Sequence, residues 1–109
     1  MKIDVLGTKY TILEKAREKD HNLANCDGYC DKTSHRIVIA AEDADSQFDD
    51  FAVYKNKVLR HEIIHAFLFE SGLAANWEHK PFGHDETYVD WIASQFPKLL
   101  KAFRDAGCI

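Results

Sequence analysis

The chain predicts an α+β fold: a small antiparallel or mixed sheet of three to four N-terminal strands packed on a buried helix, followed by one or two C-terminal helices. Three observations carry this expectation. Segments rich in β-favouring residues crowd the first 40 positions, a helix-length segment apolar on every side fills the middle, and an amphipathic stripe of helical period follows it. With 109 residues and 46% hydrophobic composition the chain can build one core, so residues 1–109 form a single domain.

The elements follow in order. Lys2 to Leu6 alternates around Ile3 and Val5, Gly7-Thr8 reads as a tight turn, and Lys9 to Leu13 resumes with Tyr10, Thr11 and Ile12. Glu14 to Asp20 fits either an extension of that strand or one loose helical turn. Asp27-Gly28 marks a further turn, and His35 to Ala40 is the clearest strand in the chain. Glu42 to Asp50 reads as an acidic, solvated loop. From about Phe51 to Ser71 the pattern is helical, with Gly72 placed to end it; its second half carries Ile63, Ile64, Ala66, Phe67, Leu68 and Phe69 around the whole circumference, as buried helices do. Ala74 to Gly83 reads as a loop holding Trp77, His79 and Pro81. A second helix starts near Asp85 and runs to about Phe96, with Val89, Ile92 and Phe96 as its stripe. Pro97 suits the first turn of a third helix, Lys98 to Asp105, stopped by Gly107.

Charge and composition narrow the function. The net charge of −4, from 14 basic and 18 acidic residues, lacks the basic field that phosphate binding needs, so no nucleic-acid partner is expected. The absence of a long apolar run or a signal-type N-terminal segment predicts a cytoplasmic protein with no membrane partner. Six histidines beside three cysteines turn attention to metal chemistry rather than to a disulfide framework.

The middle helix carries His61-Glu62-Ile63-Ile64-His65, an H-E-x-x-H match. Four residues advance a helix by about 400°, so the two imidazoles lie about 40° apart, stacked on one face. Two ring nitrogens so placed suit one tetrahedral Zn²⁺. Glu62 lies about 60° from His65 on the flank of that face, where it reaches a water without becoming a ligand, as a general base must. At this composition the motif is expected by chance about 0.02 times. Packed histidines without a metal are the competing reading, but an unpartnered His-Glu-His cluster on a buried helix is costly to fold. A third protein ligand is needed. The metzincin arrangement fails, because Leu68 and Ser71 stand where its Gly and third His belong. His79, His84 and Glu86 are the candidates. Glu86 is the best placed, since it shares a helical face with Asp90 and that pair can supply a ligand and a carboxylate that orients a ligating imidazole.

This pattern resembles the gluzincin zinc peptidases, H-E-x-x-H followed about twenty residues on by E-x-x-x-D. The small size, the strand before the motif helix and the run from Val58 to Leu68 are similar to minigluzincins and to related metallopeptidases of phages and mobile elements. The likeness extends to Gly28-Tyr29-Cys30-Asp31 and to the run from Val89 to Ala93. The resemblance implies a zincin-like minimal domain in which His61, His65 and Glu86 bind Zn²⁺, Glu62 is the catalytic base and Asp90 orients His61 or His65. It also implies that the strand leading to the motif helix is a sheet edge. On that expectation Arg36, Ile37, Val38, Ile39 and Ala40 pair with a protein or peptide substrate as an added strand, against the competing reading of an interior strand. Gluzincins often supply a Tyr or His to steady the oxyanion; His79, His84, Tyr88 and Tyr54 are the candidates here, but each reads first as ordinary loop or packing chemistry and none is assigned the role.

The implied function is that of a zinc-dependent endopeptidase. The alternative is a catalytically silent, zinc-stapled binding or regulatory module of a phage or mobile element, in which the ion serves a small core. Other features carry less. Cys26 and Cys30 lack the second pair of a structural zinc site and read, with Cys108, as reduced thiols. Trp77 and Trp91 read as core or cleft wall, and His21 and His35 as surface.

Overall fold

The computed structural model describes residues 1–75, 85–107 and 109, and it is an α+β domain of one four-stranded mixed sheet and two long helices. The strands are β1 (Lys2–Val5), β2 (Thr8–Lys15), β3 (Gly28–Asp31) and β4 (Arg36–Ala40); the helices are α1 (Phe51–Glu70) and α2 (Glu86–Asp105). The sheet order is β1-β2-β4-β3, with β2 and β4 parallel and the outer pairs antiparallel. His79, His84, Trp77 and Cys108 lie outside the described residues.

The first hairpin turns at Leu6-Gly7, one residue earlier than the pattern predicts. Both residues have positive φ (52° and 93°), the demand of a two-residue turn that follows strand twist, and Asp4 accepts a hydrogen bond from the Gly7 amide at 3.0 Å. Glu14 and Lys15 extend β2, because they pair in register with Ile39 and Ala40. The chain then makes two short 3₁₀ turns, Arg17–Lys19 and His21–Leu23, braced by Arg17, which reaches the Leu23 and Cys26 carbonyls and the carboxylates of Asp27 and Asp43.

The strand β3 has no period visible in sequence, where Asp27-Gly28 reads as a turn; pairing with β4 makes it a strand. Its glycine is there for close approach. A Cβ at Gly28 would stand 3.0 Å from Val58 on α1 and from Ile39, and 3.1 Å from the Val38 carbonyl.

The expectation that Arg36 to Ala40 forms a sheet edge is corrected. β4 is hydrogen-bonded to β2 on one side and to β3 on the other, so Arg36, Ile37, Val38, Ile39 and Ala40 have no free ladder for an added strand. Ile37, Val38, Ile39 and Ala40 are all buried, with Ile37 and Ile39 facing α1 and Val38 and Ala40 packing with Leu23 beneath the 3₁₀ turns. A strand buried on both faces reads as a continuous apolar run, as this one does. Among the described residues the edge strands are β1 and β3.

Helix α1 is capped by Asp50, which accepts from the Val53 amide at 3.3 Å, and it ends before Gly72, whose φ is 82°. Its side toward the sheet packs Val58, Leu59, Ile63 and Ala66 on Val5, Tyr10, Ile37 and Ile39. The helix is not enclosed all round, however, since Val53 and Phe67 are exposed.

Asp85 accepts from the Thr87 amide at 2.7 Å and begins α2, which buries Val89 and Ala93. It continues through Pro97 to Asp105, where a break and a third helix are expected from sequence. Pro97 has no N–H to give the Ala93 carbonyl one turn back. The vacancy is filled from α1, whose Arg60 donates through Nε to that carbonyl at 2.7 Å. Trp91 lies 55% exposed on this helix and so is not a core residue. No helix among the described residues is long and apolar enough to cross a membrane.

Two outcomes follow from this construction. Replacing Arg60 with Ala strands the Ala93 carbonyl and should cost about 1–3 kcal/mol in urea unfolding. Adding Pro97→Ala should recover part of that loss, because an amide returns at position 97; equal costs in both backgrounds would refute the compensation. The second outcome concerns acid. Hydrogen bonds from Tyr29, Tyr54 and Tyr10 hold Asp20, Asp27 and Glu70 below the usual carboxylate range. Groups lowered in the folded state stabilise it fully above their unfolded values, about 3.9 for Asp and 4.3 for Glu, and lose that contribution as pH falls through the folded ones. The urea midpoint of the metal-free chain should therefore fall below about pH 4, and the penalty of Tyr29→Phe should shrink over the same range. A Tyr29→Phe penalty that grows with acid would contradict the assignment.

Candidate metal centre

The site is built where α1, α2 and β3 meet. Positions 57, 61 and 65 recur every four residues of α1, so Lys57, His61 and His65 line one ridge, with Glu62 beside it turned inward. The β3 edge faces this ridge across a cleft of about 440 Å³, whose lining includes Gly28, Tyr29, Cys30, Tyr54, Lys57, Glu62 and Phe69. Glu86, in the first turn of α2, closes the group from the other side.

His61, His65 and Glu86 form a group that could hold a metal ion: one ligand atom from each lies within 4.8 Å of the others. The imidazole Nε2 atoms are 3.0 Å apart, Glu86 Oε2 is 3.2 Å from His61 Nε2, and Glu86 Oε1 is 3.1 Å from His65 Nε2. Ligands at about 2.0–2.1 Å around a tetrahedral ion stand about 3.3 Å from one another, so a spread of a few tenths of an ångström admits one. Two imidazole nitrogens and a carboxylate oxygen are also a donor set that divalent transition metals take. The two rings are largely buried and Glu86 is 72% exposed, so the group opens to solvent on the Glu86 side.

Asp90, one turn after Glu86, sits 3.2 Å from His61 Nδ1. With Nδ1 donating there, the His61 Nε2 lone pair faces the group, which fixes the tautomer a ligand needs. Of the two imidazoles the sequence leaves open for Asp90, the structure sets His61 against it. Lys57, which the sequence reading passes over, pairs with the same Asp90 oxygen at 2.5 Å. The hydrogen bond from Lys57 is the main cause holding the Asp90 carboxyl below its ordinary value. Its position four residues before His61 is the signal that could have drawn attention to it.

Glu62 is buried beside the ligand pair. Burial first, then the charge of Glu86, pushes its carboxyl up to about 7. A carboxyl poised near neutrality can take a proton and return it. Cys30 projects toward the same buried space, and burial, reinforced by the charge of Glu62, drives its thiol up to about 12. It stays protonated and unreactive, and both it and Cys26 are free thiols.

The candidates for steadying an oxyanion separate. Tyr54 lines the cleft, but its hydroxyl donates to Asp27, and burial pushes the phenol up to about 12. Tyr88 is half-buried on α2, two residues beyond Glu86. The positions of His79 and His84 as alternative ligands or oxyanion donors lie outside the described residues. His21 and His35 are on the surface.

A metal held this way should bridge α1 and α2. Added Zn²⁺ at 100 times its dissociation constant should raise unfolding free energy by about 2.7 kcal/mol. Glu86→Ala should weaken binding while leaving the apo chain folded, because the side chain is exposed. Isothermal calorimetry checks this, and unchanged affinity in Glu86→Ala would remove Glu86 from the ligand set. Comparison with known proteins finds no matching family model, no matching curated protein and no matching solved structure.

Proposed function

We propose that the chain is a zinc metalloendopeptidase of the gluzincin type, resembling the minimal phage-type enzymes, with a protein or peptide as its substrate. The observation that carries the reading is the convergence of His61, His65 and Glu86 beside a buried carboxyl, Glu62, on the wall of an open cleft. His61 and His65 would hold the ion through Nε2 and Glu86 through its carboxylate. Zinc, when bound, supplies Lewis acidity that polarises a carbonyl and makes water more acidic.

The remaining steps belong to the chain. Asp90 keeps the His61 ring oriented. Glu62, buried beside the ligand pair, takes a proton from the attacking water as the carbon–oxygen bond forms. It then delivers that proton to the departing amide nitrogen as the carbon–nitrogen bond breaks, leaving a carboxylic acid and an amine and restoring its carboxylate. The substrate strand is assigned to β3 in place of β4. Among the described residues no strand pairs with the outer side of Gly28–Asp31, and the strand borders the cleft that holds Glu62.

One observation favours the other reading, a zinc-stapled binding or regulatory module: the three ligand candidates tie α1 to α2, which is what a structural ion would do. Glu62→Gln separates the two. The variant should fold and hold Zn²⁺ with little change, while cleavage of a denatured protein substrate drops at least about 100-fold. Full cleavage by the variant would exclude Glu62 as base. A zinc-loaded wild type that cleaves nothing and unfolds on chelation would establish the staple.

A further inference from the structure

We propose that Lys57 is a positioning residue for the metal centre, one that clamps Asp90 against His61 and so sets the ring on which the ion depends. The inference rests on the reading of His61, His65 and Glu86 as metal ligands. Asp90 is 48% exposed, and a carboxylate so open to water has no reason of its own to remain at one rotamer. It also follows Glu86 by one helical turn, and like charges at that spacing repel. Both effects favour an Asp90 turned away from the site.

Lys57 opposes them from the facing helix. Its ammonium reaches Asp90 Oδ1 at 2.5 Å, the same oxygen that stands 3.2 Å from His61 Nδ1. Lys57 is 29% exposed, so its stem is packed and its head is directed. Lys57 and His61 are one turn apart on α1, so a single carboxylate oxygen spans both, and a cation and an N–H share it without competing for one another. The pair also balances the docking of α2. Among the described residues of that helix Val89 and Ala93 are buried, and the Lys57–Asp90 pair joins the Arg60 bond to the Ala93 carbonyl and the contacts of Glu86 and Asp90 with the imidazoles in tying it to α1. Removing Lys57 frees Asp90, releases the His61 tautomer and weakens a ligand that Lys57 never touches through the metal itself.

The test is a double-mutant cycle read as metal affinity, with Zn²⁺ competed against a chromophoric chelator. Lys57→Met should weaken Zn²⁺ binding about tenfold, the lower end of what loss of a ligand-orienting group costs, and Lys57→Arg should restore most of it. Asp90→Asn should weaken binding as much or more. In the Asp90→Asn background, Lys57→Met should then add less than about twofold, because its route is gone. Should Lys57→Met lose its helical circular dichroism without metal, Lys57→Gln keeps the stem and a neutral donor and should show a smaller loss in the same direction. An unchanged dissociation constant in Lys57→Met or Lys57→Gln, or a full tenfold loss persisting in Asp90→Asn, overturns the role of Lys57 alone. A wild-type chain that binds no Zn²⁺ overturns the metal reading with it.

Discussion

The fold is organised around polar groups placed where a helix would ordinarily be apolar. Glu62 and His65 are both over nine-tenths buried on α1, the helix whose other side packs on the apolar sheet. Ionisable side chains in such surroundings raise the free energy of the folded chain unless something answers them. The answer comes from a helix distant in sequence. Glu86 meets both imidazoles and Asp90 meets His61, so α2 is not simply an amphipathic cover laid on an apolar surface. The position of α2, the opening of the cleft and the closeness of β3 all follow from the need to keep that cluster partnered and accessible together.

Gly28 shows how far the constraint reaches. For Glu62 to be buried and yet border a cleft, the edge strand must come very near α1, and a single missing Cβ permits it. Cys30, the next residue on the same side of β3, is small for the same reason. Replacing either with a larger residue would push the helix off the sheet and expose the carboxyl whose raised proton affinity depends on burial.

Much of this was legible in the sequence. The H-E-x-x-H spacing predicts a shared helical face, and the i, i+4 step from Glu86 to Asp90 predicts that both carboxylates point one way; both are local consequences of helical period. What was not legible depends on partners far along the chain. The edge placement of Arg36 to Ala40 came from family likeness, while the unbroken apolar run Ile37 to Ala40 already carried the mark of an interior strand. β3 escaped because Gly and Asp are poor strand formers and its ladder comes from β4. Pro97 read as a boundary because its missing N–H usually ends a helix, and only the fold brings Arg60 to the carbonyl left behind. Lys57 escaped for a similar reason, since its partner lies on another helix.

The two halves of the site are held in unequal ways, and that inequality bears on what a bound ion can do. His61, His65 and Glu62 sit on a helix fastened to the sheet by a wide apolar contact, so their geometry is set by the core. Glu86 and Asp90 ride on a helix whose buried residues, among those described, are the small Val89 and Ala93, joined to α1 by polar ties. A ligand that contacts both halves must therefore bind and dock α2 together, because its affinity contains the free energy of that docking. For a metal bound between the helices, a change at Arg60, which is not a ligand, would act through the docking of α2, whereas changes at Val58 or Ile39 would act through the core. A domain this small can thereby use one set of contacts for both jobs. An ion held by His61, His65 and Glu86 would bridge α1 and α2 whether or not Glu62 acts on a substrate.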